Sequence, residues 1–112
     1  MNKETLKNSI KELSKEIHTT AKEHGWWDSN RNDCECLMLA VCEIAEAVEY
    51  KRKGEHEPSD HIKDFTGEEE EIADCIIRLL DYSEHKELDI AGALIAKMEF
   101  NKSRPYKHGK KF

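Results

Sequence analysis

Leu37-Met-Leu-Ala-Val-Cys-Glu43-Ile-Ala-Glu46-Ala-Val-Glu-Tyr50 is the stretch that decides the fold. It has no strand alternation, and its apolar residues recur at helical spacing. At about 100° per residue, Leu37, Val41, Ile44 and Val48 share a narrow arc, the expected core stripe. Glu43 and Glu46 fall on the far side, together with Cys36, Leu39, Ala47 and Tyr50. Only the arc of Glu35, Cys42 and Glu49 is plainly polar enough for solvent. A helix that is apolar on two faces is expected to be covered on both, by another helix and by a partner subunit. Carboxylates within such a face are costly unless something compensates their charge.

A second stretch answers the first. Glu68-Glu-Glu-Glu71-Ile-Ala-Asp74-Cys-Ile-Ile-Arg78 carries another acidic pair three residues apart, on one helix face. Ile72, Ala73, Ile76, Leu79 and Leu80 form its expected core side, and Glu71, Asp74, Arg78 and Asp81 share the opposite one. Taken alone, that side reads as a solvated polar face. Packed beside the first helix, it brings four carboxylates together, a set that a hard divalent cation with oxygen ligands can neutralise.

Outward from these two, the punctuation is consistent. Leu6, Ile10, Leu13 and Ile17 give a first amphipathic helix over about 3–24, ended by Gly25. Asn32 and Glu35 start a second helix at 33–53, closed by Lys51-Arg-Lys53 and Gly54. Residues 54–67 read as a linker. Thr66-Gly-Glu-Glu69 is a capping box that opens a third helix to His85, and Asp89 caps a fourth at 90–103 that Pro105 stops. The expected fold class is all-α, a four-helix bundle in one domain over 1–112 with a basic tail at 104–112.

Composition sets the limits. The chain has 112 residues, 38% apolar and 38% charged, so one copy has little apolar surface to bury and is expected to complete its core by oligomerisation. A formal charge of −6 argues against general nucleic-acid binding. There is no apolar run of membrane length and no signal-like N-terminus, and the four cysteines form no disulfide framework. A cytoplasmic protein with reduced thiols is expected. The tail from Arg104 to Phe112 has four lysines and arginines and no acid, which suits either an anionic ligand or solvent.

On the fourth helix, Lys97, Asn101 and Arg104 line one edge of a stripe formed by Ala91, Leu94 and Met98. Their side chains can hold phosphate oxygens, or simply complement a helix C-terminus. Trp26 and Trp27 either cap the core or stack on a nucleobase. Glu-x-x-His, His-Glu-x-x-His, P-loop and Gly-x-Ser-x-Gly motifs are absent. The histidines are scattered, and His61 and Asp64 in the linker make no metal set.

Glu43-x-x-Glu46, a gap of 24 residues, Glu71-x-x-Asp74 and then Lys97 and Asn101 resemble the MazG-like branch of all-α nucleoside triphosphate pyrophosphohydrolases. The resemblance runs from about Gly25 to Phe112, and the ending Asn101-Lys-Ser-Arg-Pro-Tyr-Lys-His-Gly-Lys-Lys is similar to small phage-associated members. It implies Mg²⁺-dependent hydrolysis of a (deoxy)nucleoside triphosphate to monophosphate and pyrophosphate, with Mn²⁺ as a substitute ion. It implies Glu43, Glu46, Glu71 and Asp74 as metal ligands and catalytic residues. Lys97, Asn101 and Arg104 are implied for the phosphate chain, and His18, Trp26 and Trp27 are candidates for the base. A homodimer or homotetramer is implied as well. Many members begin the first motif with two adjacent acids, where this chain has Cys42 before Glu43. The alternatives are a relative acting on dUTP, dCTP or a phosphoribosyl nucleotide, and a non-catalytic helical oligomer that binds nucleotide or protein.

Overall fold

Four helices, each opened by a side-chain cap, account for most of the chain: α1 (Lys3–Glu23), α2 (Asp33–Lys53), α3 (Gly67–His85) and α4 (Ile90–Lys102). The computed structural model describes residues 2–112. Asn2, Asn32, Thr66 and Asp89 each accept a backbone N–H three residues on, which satisfies one of the otherwise orphaned donors of a first turn. At Thr66 the box is reciprocal, with the Glu69 carboxylate accepting the Thr66 N–H at 2.9 Å. α1 ends on Gly25, at φ 86°, with Gly25 N–H bonded to Lys22 O and Trp26 N–H to Ala21 O. That paired arrangement is the Schellman motif, and only glycine adopts its left-handed residue without strain. The expected boundaries hold to within a residue. The tail adds one short 3₁₀ turn at Tyr106–Gly109.

α2 and α3 form the central pair. Lys51–Glu68 at 3.1 Å, Arg78–Glu43 at 2.8 Å and Lys86–Asp33 at 3.1 Å tie end, middle and start of α2 to start, middle and end of α3, so the helices run antiparallel. Gly67 lets them close at one end, because a Cβ there would overlap the Tyr50 ring. α1 packs on α3, and α4 on α1. The linker is ordered by Pro58 pairing with Thr66 and by Ser59 N–H bonding Phe65 O at 2.9 Å. Among the described residues there is no β-strand, and no helix is long and apolar enough to cross a membrane.

The faces of α2 and α3 differ from the expected ones. The α2 arc that meets α3 is Cys36, Ala40, Glu43 and Ala47, all buried, whereas Leu37, Val41, Ile44 and Val48 lie exposed. On α3, Leu80 is buried as expected, but Ile72, Ala73, Ile76 and Leu79 are exposed while Glu70, Glu71 and Asp81 are buried. The reason is that α3 covers the acidic side of α2, and no element of the chain covers the apolar stripes. Within the single chain it is the acidic side of α2, and not the stripe of Leu37, Val41, Ile44 and Val48, that is covered.

Candidate metal centre

Glu43, Glu46 and Glu71 each place a carboxylate oxygen within 4.8 Å of the others, and so do Glu70, Glu71 and Asp74. The antiparallel pairing of α2 and α3 makes this cluster, since it lays Glu43 and Glu46 against the N-terminal half of α3. All four expected acids are therefore brought together, with Glu71 common to both sets. Glu70 is a fifth, and the sequence hid it inside the run Glu68–Glu71, which reads as an acidic first turn at a helix N-terminus.

The acids are held unequally. Glu43 is 8% exposed and accepts a hydrogen bond from Arg78 Nε at 2.8 Å. Burial works to raise its pKa, but hydrogen bonds with Glu71 and Glu46 and the Arg78 guanidinium together hold it below the usual carboxylate range. Glu70 is fixed from the linker: the Ser59 hydroxyl donates to Oε1, and His61 Nδ1 donates to Oε2 at 2.7 Å. Those two donors lower its pKa, Ser59 most. His61, left as a linker residue by its sequence context, is thus part of the wall of the cluster.

Glu71 is the anomaly. It is 8% exposed, and its Oε2 is buried with no hydrogen-bond partner. Burial, then the neighbouring Glu43, Glu46 and Asp74, push its pKa up to about 8. Two carboxylates at this separation can share a hydrogen bond only when one is protonated, so a proton on Glu71 relieves the repulsion. Burial also raises Asp74, and the bond to Glu43 raises Glu46. A buried carboxyl group that must carry a proton because it lacks a counter-charge is chemically suited to exchange that proton for a hard cation.

A cavity of about 380 Å³ opens beside the cluster. Glu43, Asp74, Arg78 and Ile77 line it, together with Trp26, His24 and Arg31. The three base-contact candidates separate here. Trp26 is 57% exposed and lines the cavity. Trp27 stacks on His85, centroids 3.8 Å apart, and its indole N–H donates to both Asp81 oxygens at 2.9 and 3.1 Å. His18 is buried and its Nδ1 donates to Asp81 Oδ1 at 2.7 Å. Trp27 and His18 are committed to the wall, and Trp26 is the free aromatic. Arg31 lies over both tryptophan rings, its Cζ 4.7 Å from Trp27 and 5.8 Å from Trp26. Arg31 carried no sequence signal, since it sits in a turn-rich connector.

Lys97, Asn101 and Arg104 are not among the residues lining this cavity. They sit on or just after α4, where Lys97 Nζ and Arg104 Cζ lie 4.6 and 5.4 Å from the Phe100 ring. Comparison with protein-family models, with curated proteins and with solved structures found no match to this chain.

Proposed function

We propose that the chain is a MazG-like, Mg²⁺-dependent pyrophosphohydrolase that converts a (deoxy)nucleoside triphosphate to the monophosphate and pyrophosphate, working as a homodimer or homotetramer in the cytoplasm. The observation that carries this reading is the buried, unpartnered Glu71 oxygen within a cluster of carboxylates that opens on a cavity of nucleotide size. Ordinary surface acids are solvated and need no such arrangement.

Glu43, Glu46, Glu71 and Asp74 are the residues that would hold the ion, Mg²⁺ or Mn²⁺. Bound there, such an ion supplies charge neutralisation for the phosphates and a more acidic water. The chain's own residues do the rest. Arg78 holds Glu43 in place, and Ser59 and His61 hold Glu70. Trp26 offers a stacking face, with Trp27 and His18 keeping that wall in position through Asp81. Lys97, Asn101 and Arg104 are assigned to the phosphate chain on the resemblance, and their side chains have the right donors.

The purified chain with Mg²⁺ and a panel of nucleotides is expected to release pyrophosphate and nucleoside monophosphate. Release of orthophosphate, or no turnover of any nucleotide, contradicts the proposal. The same panel separates a broad enzyme from one restricted to dUTP, dCTP or a phosphoribosyl nucleotide. Glu46→Gln and Asp74→Asn are each expected to lower turnover by at least 100-fold, roughly the loss of a directly acting site group, with helical content unchanged.

A further inference from the structure

The connector Trp26-Trp-Asp-Ser-Asn-Arg31 joins α1 to α2 and is pinned at both ends. At one end Trp26 N–H bonds Ala21 O at 3.1 Å across the Gly25 turn, and at the other the Asn32 side chain accepts Glu35 N–H at 3.1 Å. Arg31 is therefore held in place although it lies outside any helix. Its side chain is half-buried and turns onto the aromatic pair, with Cζ 4.7 Å from the Trp27 ring and 5.8 Å from that of Trp26. Trp27 is itself fixed, by its stack on His85 and by its N–H on Asp81. A guanidinium resting on so firm a face has little freedom left to lose when it binds a ligand.

What Arg31 lacks is an anion. Among the described residues it makes no ion pair. The acids around it are engaged elsewhere: Asp81 by His18 and Trp27, Glu43 by Arg78, and Asp33 by Lys86. A half-buried cation without a counter-charge is unfavourable, and the ring contact compensates only part of that cost. Arg31 lines the cavity of about 380 Å³ that also holds Glu43 and Asp74. The other arginine of the lining, Arg78, already donates to Glu43 at 2.8 Å. Arg31, Arg78 and Asp81 share a second, narrow cleft as well, so the two guanidiniums are neighbours in the wall. A guanidinium on an aromatic face keeps its in-plane N–H donors free, in a fork that fits two oxygens of one phosphate.

We propose that Arg31 is a substrate-binding residue, its guanidinium donating to phosphate oxygens of the nucleotide that occupies this cavity. Glu43 and Asp74 repel a bare anion from the same space. A polyphosphate accompanied by a divalent cation satisfies both sets of charge at once, which is why the ligand of Arg31 is assigned to that class. The inference rests on the nucleotide reading of the cavity. It supplies that reading with a free cation in the cavity lining, to which Lys97, Asn101 and Arg104 do not contribute.

The chain has two tryptophans, and both touch Arg31, so their emission reports on this site. Inorganic imidodiphosphate, a non-hydrolysable pyrophosphate analogue, is titrated in the presence of Mg²⁺ and followed by tryptophan emission and by calorimetry. Wild-type protein is expected to bind it saturably. Arg31→Ala is expected to bind about 10-fold more weakly or worse, as the loss of charge-assisted hydrogen bonds implies, with helical content unchanged. Arg31→Lys, which keeps the charge without the flat fork, is expected to fall between the two, and it carries the comparison if the alanine variant does not fold. Arg52→Ala, on the exposed surface of α2, is expected to bind as wild-type does. Deoxynucleosides, which have no phosphate, are expected to bind Arg31→Ala and wild-type alike. A wild-type chain that does not bind imidodiphosphate overturns the proposal. So does equal binding by the Arg31 variants, or a loss confined to the deoxynucleosides. Binding through Arg31 without turnover of any nucleotide keeps this inference and removes the hydrolysis reading; turnover with unaltered binding by Arg31→Ala does the reverse.

Discussion

Glu71 concentrates the chemistry of the molecule in one side chain. Its pKa of about 8 lies above that of an unfolded glutamate near 4.5, so the folded chain holds a proton that the unfolded chain has lost. The contribution of Glu71 to the stability of the metal-free protein is therefore full below about pH 4.5 and falls as pH rises towards 8, by at most about 1.4 kcal/mol per pH unit for one proton. Urea unfolding across that range is expected to show the fall in chelator and a flatter profile in Mg²⁺, because a bound cation replaces the proton. Glu71→Gln tests the same point differently. It is expected to stabilise the metal-free chain on the order of a few kcal/mol at pH 8 and hardly at all at pH 4.5, where the native glutamate is neutral as well. Asp81 is the opposite case, a carboxylate fully used by its neighbours. Asp81→Ala strands the buried His18 and the Trp27 N–H, and is expected to cost about 1–3 kcal/mol in thermal or urea unfolding.

At the scale of the elements, local chemistry was almost fully legible. Asn32, Thr66–Glu69, Asp89 and Gly25 are short-range signals, and each forms the cap its residue type predicts. Thr66→Ala is expected to cost about 1 kcal/mol, seen in thermal unfolding, since it removes one half of the capping box of the helix bearing Glu71 and Asp74. The acidic motifs were legible too, because spacing alone sets which residues share a face. Which face turns inward was not legible. Both sides of α2 are apolar, so periodicity cannot say which one α3 covers; α3 covers the acidic side, and the stripe of Leu37, Val41, Ile44 and Val48 is left exposed in the single chain. Glu70, His61 and Arg31 escaped for a related reason. Each takes its meaning from a residue far along the chain or from the cavity wall, and nothing at its own position marks that.

At the scale of the whole molecule, the structure divides into an inner half and an outer half. The side of the α2–α3 pair that bears α1 holds the cavity, the carboxylates and the Asp81 network. The stripes of Leu37, Val41, Ile44 and Val48 on α2 and of Ile72, Ile76 and Leu79 on α3 lie exposed. The most direct measurement of the central claim compares wild-type protein with Glu71→Gln, using a cleavable nucleoside triphosphate, Mg²⁺ and separate detection of pyrophosphate and orthophosphate. Wild-type is predicted to release pyrophosphate in equal amount with the monophosphate, and the folded variant to release none. Orthophosphate as the product, or a Glu71→Gln protein as active as wild-type, would contradict it.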